Sequence, residues 1–192
     1  MDSKANTSSP KTAASESASR SAKPPRAASP FRIGHGYDIH KLQSGGKLML
    51  GGIEVAQGIS PEAHSDGDVV LHALVDALLG ALQMGDIGEL FPNTDARWKN
   101  AESRVFVLEA VKRMQSRGYA VVNADVTILA ERPKLKAFKP AMAKSVAEMI
   151  GGEINIKAGT NEGCDAIGRG EAIAADVVVL LGAVVESSKG KS

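Results

Sequence analysis

The sequence predicts an α+β single domain in which a mixed β-sheet packs on helices. Strand-like and helical stretches alternate as strands, two helices, strand, helix and two strands. Leu71, Leu74, Val75, Leu78 and Leu82 form one apolar stripe at helical spacing. Pairing the strand before the third helix in parallel with the strand after it gives a crossover unit within a mixed sheet.

From Phe31 to His40 the pattern is that of a strand, with Phe31, Ile33, Tyr37 and Ile39 on one parity. Gly34 and Gly36 occupy the other parity, which points to close approach of a second backbone or a ligand. Ser44-Gly45-Gly46 is turn chemistry, and Leu48–Leu50 with Ile53–Val55 around Gly51-Gly52 reads as a hairpin. Ser65 is expected to open the first helix, with Asp68 as its capping-box partner. A polar connection over 85–100 is longer than a structural turn needs, and long ordered loops usually carry function. Ala101–Arg117 reads as a helix stopped by Gly118, Tyr119–Ala130 as a strand, and Phe138–Ile150 as a helix ended by Gly151-Gly152. Glu153–Ala158 and Ala172–Val185 complete the strands, separated by the Gly-rich loop 159–171.

A chain of 192 residues suits one domain rather than two. With 43% hydrophobic but 4% aromatic residues, its core is filled by aliphatic side chains. Net charge +1 argues against a nucleic-acid surface. No apolar run approaches a membrane span; the run Val177–Val185 is interrupted by Gly182 and reads as a buried strand. The single cysteine, Cys164, excludes an intrachain disulfide and fits a reducing compartment. Residues 1–30 contain no Val, Ile, Leu, Phe, Trp or Tyr and are expected to be a disordered extension. That stretch has no apolar signal region, and its Ser-rich, mildly basic character leaves a transit peptide as an alternative. The expected location is bacterial cytoplasm, or plastid stroma if the extension is a transit peptide. Residues 31–186 are read as one folded domain and 187–192 as a frayed tail.

Asp38 and His40, one residue apart, project from the same face of a strand, and His72 lies at the edge of the following helix's apolar stripe. Three such ligands with an open position are the pattern of a catalytic zinc or similar divalent site. Taken singly, Asp38 is equally a turn residue and each histidine a satisfied polar group at a core margin. Asp76, one turn beyond His72, is a candidate partner for a ligand imidazole or part of a solvated face. His64 and Ser65 stand where a helix N-terminus favours an anion. Asp86 and Gly88 could offer a carboxylate and an amide to a polar substrate, or be ordinary turn chemistry. The loop 157–171 carries Lys157, Thr160, Glu162, Arg169 and Glu171 among glycines that let amides approach phosphate oxygens.

Over residues 31–185 the chain resembles the 2-C-methyl-D-erythritol 2,4-cyclodiphosphate synthases of the non-mevalonate isoprenoid pathway. The likeness rests on RIGHGYDIH, AHSDGDVVLHALVDALLGAL, GDIGELFPNTD, ADVTILAERPKL and IKAGTNEGCDAIGRGE, in that order. The resemblance implies that Asp38, His40 and His72 bind Zn2+ and that Glu162 binds Mg2+ or Mn2+ through substrate phosphates. It implies that His64 and Ser65 hold the terminal phosphate, and Asp86 with Gly88 the methylerythritol hydroxyls. Ala130, Pro133, Lys134 and Leu135 are implied to line a cytidine pocket, and Thr160 to contact the diphosphate. His64, Ser65 and Thr160 are thus the implied catalytic set. The family is a homotrimer with sites at subunit interfaces; Arg169 and Glu171 match positions near its threefold axis, where some members hold an isoprenoid phosphate. The chain departs from the pattern at Ala166, where many members carry an aromatic, at Gly163, where lysine is frequent, and at Asn93, where aspartate is.

The implied reaction takes 4-diphosphocytidyl-2-C-methyl-D-erythritol 2-phosphate to the cyclic diphosphate and CMP, in one intramolecular phosphoryl transfer. Such a step needs charge neutralisation and alignment more than side-chain acids or bases. A zinc-dependent hydrolase of phosphate esters or amides, and a noncatalytic trimeric metal scaffold, are the competing readings.

Overall fold

The computed structural model describes residues 29–184. The expected extension before residue 29 and the tail after 184 lie outside the described residues. In chain order the elements are β1 (Phe31–Leu50), β2 (Ile53–Pro61), α1 (Val69–Ala81), α2 (Ile87–Leu90), a single 3-10 turn (Ala96–Trp98), α3 (Ser103–Ser116), β3 (Tyr119–Leu129), α4 (Lys139–Ile150), β4 (Glu153–Gly159), α5 (Asp165–Gly168) and β5 (Ala172–Ala183). They form a mixed five-stranded sheet of order β2-β1-β5-β3-β4. The β3–α4–β4 unit is the expected parallel crossover, while β5 runs antiparallel to both of its neighbours.

The Gly45-Gly46 stretch is not a turn. β1 runs through it unbroken, and the two glycines sit opposite Gly58 as a bulge between the Ser44–Ile59 and Lys47–Gln57 pairs. Positive φ of 90° at Gly45 and 74° at Gly46 lets the strand absorb the extra residue. The hairpin's actual turn is Gly51-Gly52, as expected.

The first helix is capped by Asp68, not by Ser65. The Asp68 carboxylate accepts the amides of Val70 and Leu71 at 3.1 Å each, which makes it the N-cap of α1. The same carboxylate accepts Gly51 N at 2.9 Å and Gly52 N at 2.7 Å, so it ties the hairpin turn to the helix start. Ser65 lies upstream in the connecting loop.

One face of the sheet is covered by helices. There the buried aliphatics of α1 meet Val177, Val179 and Leu181 of β5 and Val126 and Ile128 of β3 in one core. The opposite face carries the other parity of β1 and β5, and in the isolated chain its apolar residues are bare: Ile33 is 73% exposed, Phe31 54%, Tyr37 47% and Val178 43%.

Candidate metal centre and active site

The site is set by how closely β1 lies on α1. A Cβ on Gly34 would stand 1.8 Å from the Ala77 carbonyl oxygen, and one on Gly36 would stand 1.9 Å from that of Ala73. Two residues of strand thus span one helical turn, and the next positions of that parity, Asp38 and His40, arrive at the first turn of α1, where His72 sits. Asp38 Oδ2 is 3.0 Å from His72 Nδ1 and 3.2 Å from His40 Nε2. His40 Nε2 is 3.2 Å from His72 Nδ1.

These three atoms form a nearly equilateral triangle. A tetrahedral ion with bonds of about 2.0–2.1 Å has ligand–ligand edges of about 3.3 Å, so the triangle fits one face of a zinc tetrahedron. Burial pulls the His40 pKa down and so favours the neutral imidazole a metal needs, while the nearby Asp38 carboxylate pulls the other way. Among the described residues, this is the one group of His, Cys, Asp and Glu side chains placed to hold a metal ion.

The triangle opens onto a cavity of about 560 Å³ whose wall includes His64, Ser65 and Gly88. Its inner wall is aromatic: Phe91 and Phe106 centroids are 4.5 Å apart, and Trp98 stands edge-on to both at 5.2 and 5.8 Å. These rings come from the 85–100 loop and the start of α3, and their part in the site was not legible from sequence. Asp86 does not line the cavity; its Oδ1 accepts Glu89 N at 2.8 Å and caps α2. Asp76 does not touch the imidazole either. Its Oδ1 accepts Ile87 N at 2.7 Å, so it anchors the loop that carries Gly88.

The partner of the His72 imidazole is instead Ser103, which nothing in the sequence spacing brought near. His72 Nε2 lies 2.8 Å from Ser103 Oγ and 3.1 Å from Ser65 Oγ. The Ser103 hydroxyl donates to Asp66 Oδ1, and its amide donates to Asp66 Oδ2 at 3.0 Å.

A second cavity, of about 370 Å³, collects Ala130, Pro133, Lys134, Leu135 and Thr160 at the C-terminal ends of the parallel strands β3 and β4. Glu162 sits beside it in the left-handed region, φ 51°, with its Oε1 accepting the Thr160 hydroxyl at 2.8 Å. Neither Thr160 nor Glu162 meets the Asp38–His40–His72 group within the chain, and the two cavities share no residue. Arg169 lies in neither; it caps α5 and pairs with Glu171 at 2.9 Å. Lys157 pairs with Asp125 at 2.5 Å on the uncovered sheet face.

A family profile described as the YgbB family matches residues 31–182. The chain is 47% identical over 162 residues to the chloroplastic 2-C-methyl-D-erythritol 2,4-cyclodiphosphate synthase of Oryza sativa subsp. japonica, covering 83% of this chain and 72% of that protein. It is 49% identical over 157 residues to the enzyme of that name from Xanthomonas axonopodis pv. citri, covering 80% of this chain and 95% of that protein. The solved IspF (Plasmodium falciparum) CDP complex superposes with a TM-score of 0.73 at 31% identity, over 83% of this chain and all of that one. With the profile matching nearly all of the described residues and relatives close to half identical, the chain belongs to the YgbB family, that of the 2-C-methyl-D-erythritol 2,4-cyclodiphosphate synthases.

Proposed function

We infer that the chain is a phosphorus–oxygen lyase of isoprenoid precursor biosynthesis. It converts 4-diphosphocytidyl-2-C-methyl-D-erythritol 2-phosphate to 2-C-methyl-D-erythritol 2,4-cyclodiphosphate and CMP. The observation that carries this reading is the Asp38–His40–His72 triangle, open to a cavity that also presents His64, Ser65 and Gly88. An oxygen of the 2-phosphate forms a bond to the β-phosphorus. The bond from that phosphorus to the α,β-bridging oxygen breaks, so CMP leaves with the electron pair and no water is consumed.

Asp38, His40 and His72 hold Zn2+, and Glu162 holds Mg2+ or Mn2+ together with substrate phosphates; bound there, the ions neutralise charge on the two phosphate groups that must approach. His64 and Ser65 hold the terminal phosphate. Ser65 Oγ already accepts Gly67 N at 3.2 Å, which leaves its hydroxyl proton for a phosphate oxygen. Gly88, on the cavity wall, and Asp86, which caps the α2 turn that carries Gly88, position the methylerythritol hydroxyls, with the Asp76 anchor on Ile87 N fixing that segment. Ala130, Pro133, Lys134 and Leu135 take the cytidine, and the Thr160 hydroxyl contacts the diphosphate; Lys136 and Lys139 line the same cavity and add positive charge.

The working unit is a homotrimer with each site shared between two chains. Two observations support this. The metal group and the nucleotide cavity are separate within one chain, which is what a site completed by a neighbouring chain calls for. The uncovered sheet face is also apolar, with Ile33, Tyr37, Ile39 and Val178 exposed, as an interface requires. Arg169, which with Glu171 matches positions near the threefold axis of that assembly, is assigned to phosphate binding. We place the enzyme in bacterial cytoplasm, or in plastid stroma where residues 1–30 act as a transit peptide. The rice relative is named chloroplastic, and no helix among the described residues is long and apolar enough to cross a membrane.

Elemental analysis of purified wild type and His72→Ala, together with CMP release, tests the reading. The expected result is zinc and turnover in the wild type, with both lost in a His72→Ala protein that keeps its oligomeric state. Full turnover in metal-stripped His72→Ala contradicts it.

A further inference from the structure

We propose that Ser103, itself held by Asp66, is a positioning residue that keeps a proton on His72 Nε2, so that Nδ1 is the nitrogen offered to a cation beside Asp38 and His40.

The argument is one of hydrogen-bond direction. A serine hydroxyl has one proton to give. The Ser103 proton goes to Asp66 Oδ1, because an ionised carboxylate can only accept. The Ser103 oxygen, 2.8 Å from His72 Nε2, is therefore left as an acceptor, and the proton on that edge of the ring belongs to Nε2. Nδ1, the atom 3.0 Å from Asp38 Oδ2 and 3.2 Å from His40 Nε2, is then the nitrogen left to a cation, and any proton it shares with the Asp38 carboxylate in the ion-free chain is the one a bound ion displaces. Ser103 has no exposure to solvent, so water does not compete for its oxygen.

Helix capping accounts for part of this arrangement. The α3 N-cap, Glu102, makes no side-chain cap bond, and Asp66 Oδ2 takes the Ser103 amide in its place. Capping requires nothing of the Ser103 hydroxyl, however, and that hydroxyl is what reaches the imidazole. The loop bearing Asp66 is also pinned to α3's approach by Asp66 N to Ala101 O at 3.1 Å and Asn100 N to His64 O at 2.8 Å, so donor and acceptor keep their places. Ser65 Oγ, 3.1 Å from the same Nε2, is a second acceptor, but it lines the cavity, where a phosphate draws it away. Ser103 lies behind the ring, outside the cavity lining, and holds the ring whether or not a ligand is bound. The two serines thus divide the work between ligand and imidazole.

The proposal rests on the metal site put forward above, and its test separates the two. In wild type, 15N–1H correlation spectra of the imidazoles should show a proton on His72 Nε2 both without and with zinc. Zinc affinity, measured by competition with a chromophoric chelator, should fall about 10- to 100-fold in Ser103→Ala. Asp66→Asn should lose affinity similarly. Its single oxygen takes the buried amide while its NH2 turns to the Ser103 oxygen, so the hydroxyl proton is sent to Nε2 and the His72 proton to Nδ1. Thermal unfolding of the metal-free variants reports any purely structural effect. A His72 Nε2 without a proton in the wild type overturns the proposal, and so does unchanged zinc affinity in folded Ser103→Ala or Asp66→Asn. If Ser103→Ala does not fold, the wild-type spectrum and Asp66→Asn decide. A wild type that binds no zinc refutes the metal site while the spectrum still settles the tautomer.

Discussion

Gly36 of β1 and Ala73 of α1 touch backbone to backbone: a Cβ on the glycine would stand 1.9 Å from the alanine's carbonyl oxygen. That contact fixes the distance between the strand carrying Asp38 and His40 and the helix carrying His72. Gly36→Ala forces the two apart. It should destabilise the protein by about 1–3 kcal/mol or more in urea titrations, since overpacking against backbone has no soft side chain to yield. Zinc affinity should drop with it, because the ligand triangle is opened along the same direction.

Asp68 is a joint between hairpin and helix. Its carboxylate has no solvent exposure and accepts amides of Gly51, Gly52, Val70 and Leu71. Burial pushes its pKa up, against the pull of the Gly52, Gly51 and Leu71 amides. Asp68→Ala strands those donors and should cost about 3 kcal/mol or more of unfolding free energy. A change below the error of the denaturant titration counts against this role.

How much of this was legible in the sequence depends on the range of the interaction concerned. The alternation of Gly34, Gly36, Asp38 and His40 is local, so the shared face and the close approach could both be read from it. The Leu71–Leu82 stripe announced its helix for the same reason. Ser65 was misplaced as a cap because Ser and Asp are both good N-caps, and the choice fell to the hairpin turn that only Asp68 reaches. The sequence leaves Asp76 open between an imidazole's partner and a solvated face, because its actual partner, Ile87 N, lies eleven residues away across a turn. Ser103 was missed altogether, since its contact with His72 spans 31 residues and carries no periodic signal.

Burial also pushes the Asp76 carboxyl above its ordinary 3.8, with the Ile87 amide pulling the other way. The folded, metal-free protein therefore takes up that proton at a higher pH than the unfolded chain. Between the two values the folded state holds more protons, so this group's contribution to stability rises as pH falls through the window. Asparagine keeps an acceptor for Ile87 N and has no charge to desolvate. Asp76→Asn should be at least as stable as wild type at neutral pH, with its lead shrinking as pH falls toward 3.8. A variant that is weaker at neutral pH and overtakes the wild type in acid contradicts the sign.

The shared site makes a prediction about mixtures. His72→Ala removes the metal group. Gly159→Leu obstructs the nucleotide cavity that Gly159 lines, and its added Cβ meets no atom within 4 Å, so the fold tolerates it. Each variant alone should be inactive. Coexpressed in equal amounts they should regain about one quarter of wild-type turnover, the fraction of sites in a randomly assembled ring that join two intact halves. Mixtures as inactive as the separate variants contradict a site built from two chains.

The most direct measurement is turnover of the cytidine diphosphate substrate in oxygen-18 water. The account predicts CMP and cyclic diphosphate in equal amounts, with no solvent oxygen in either, because a phosphate of the substrate is itself the nucleophile. A linear phosphorylated product, or CMP carrying the label, would mean that water attacks at this centre and would contradict the cyclisation.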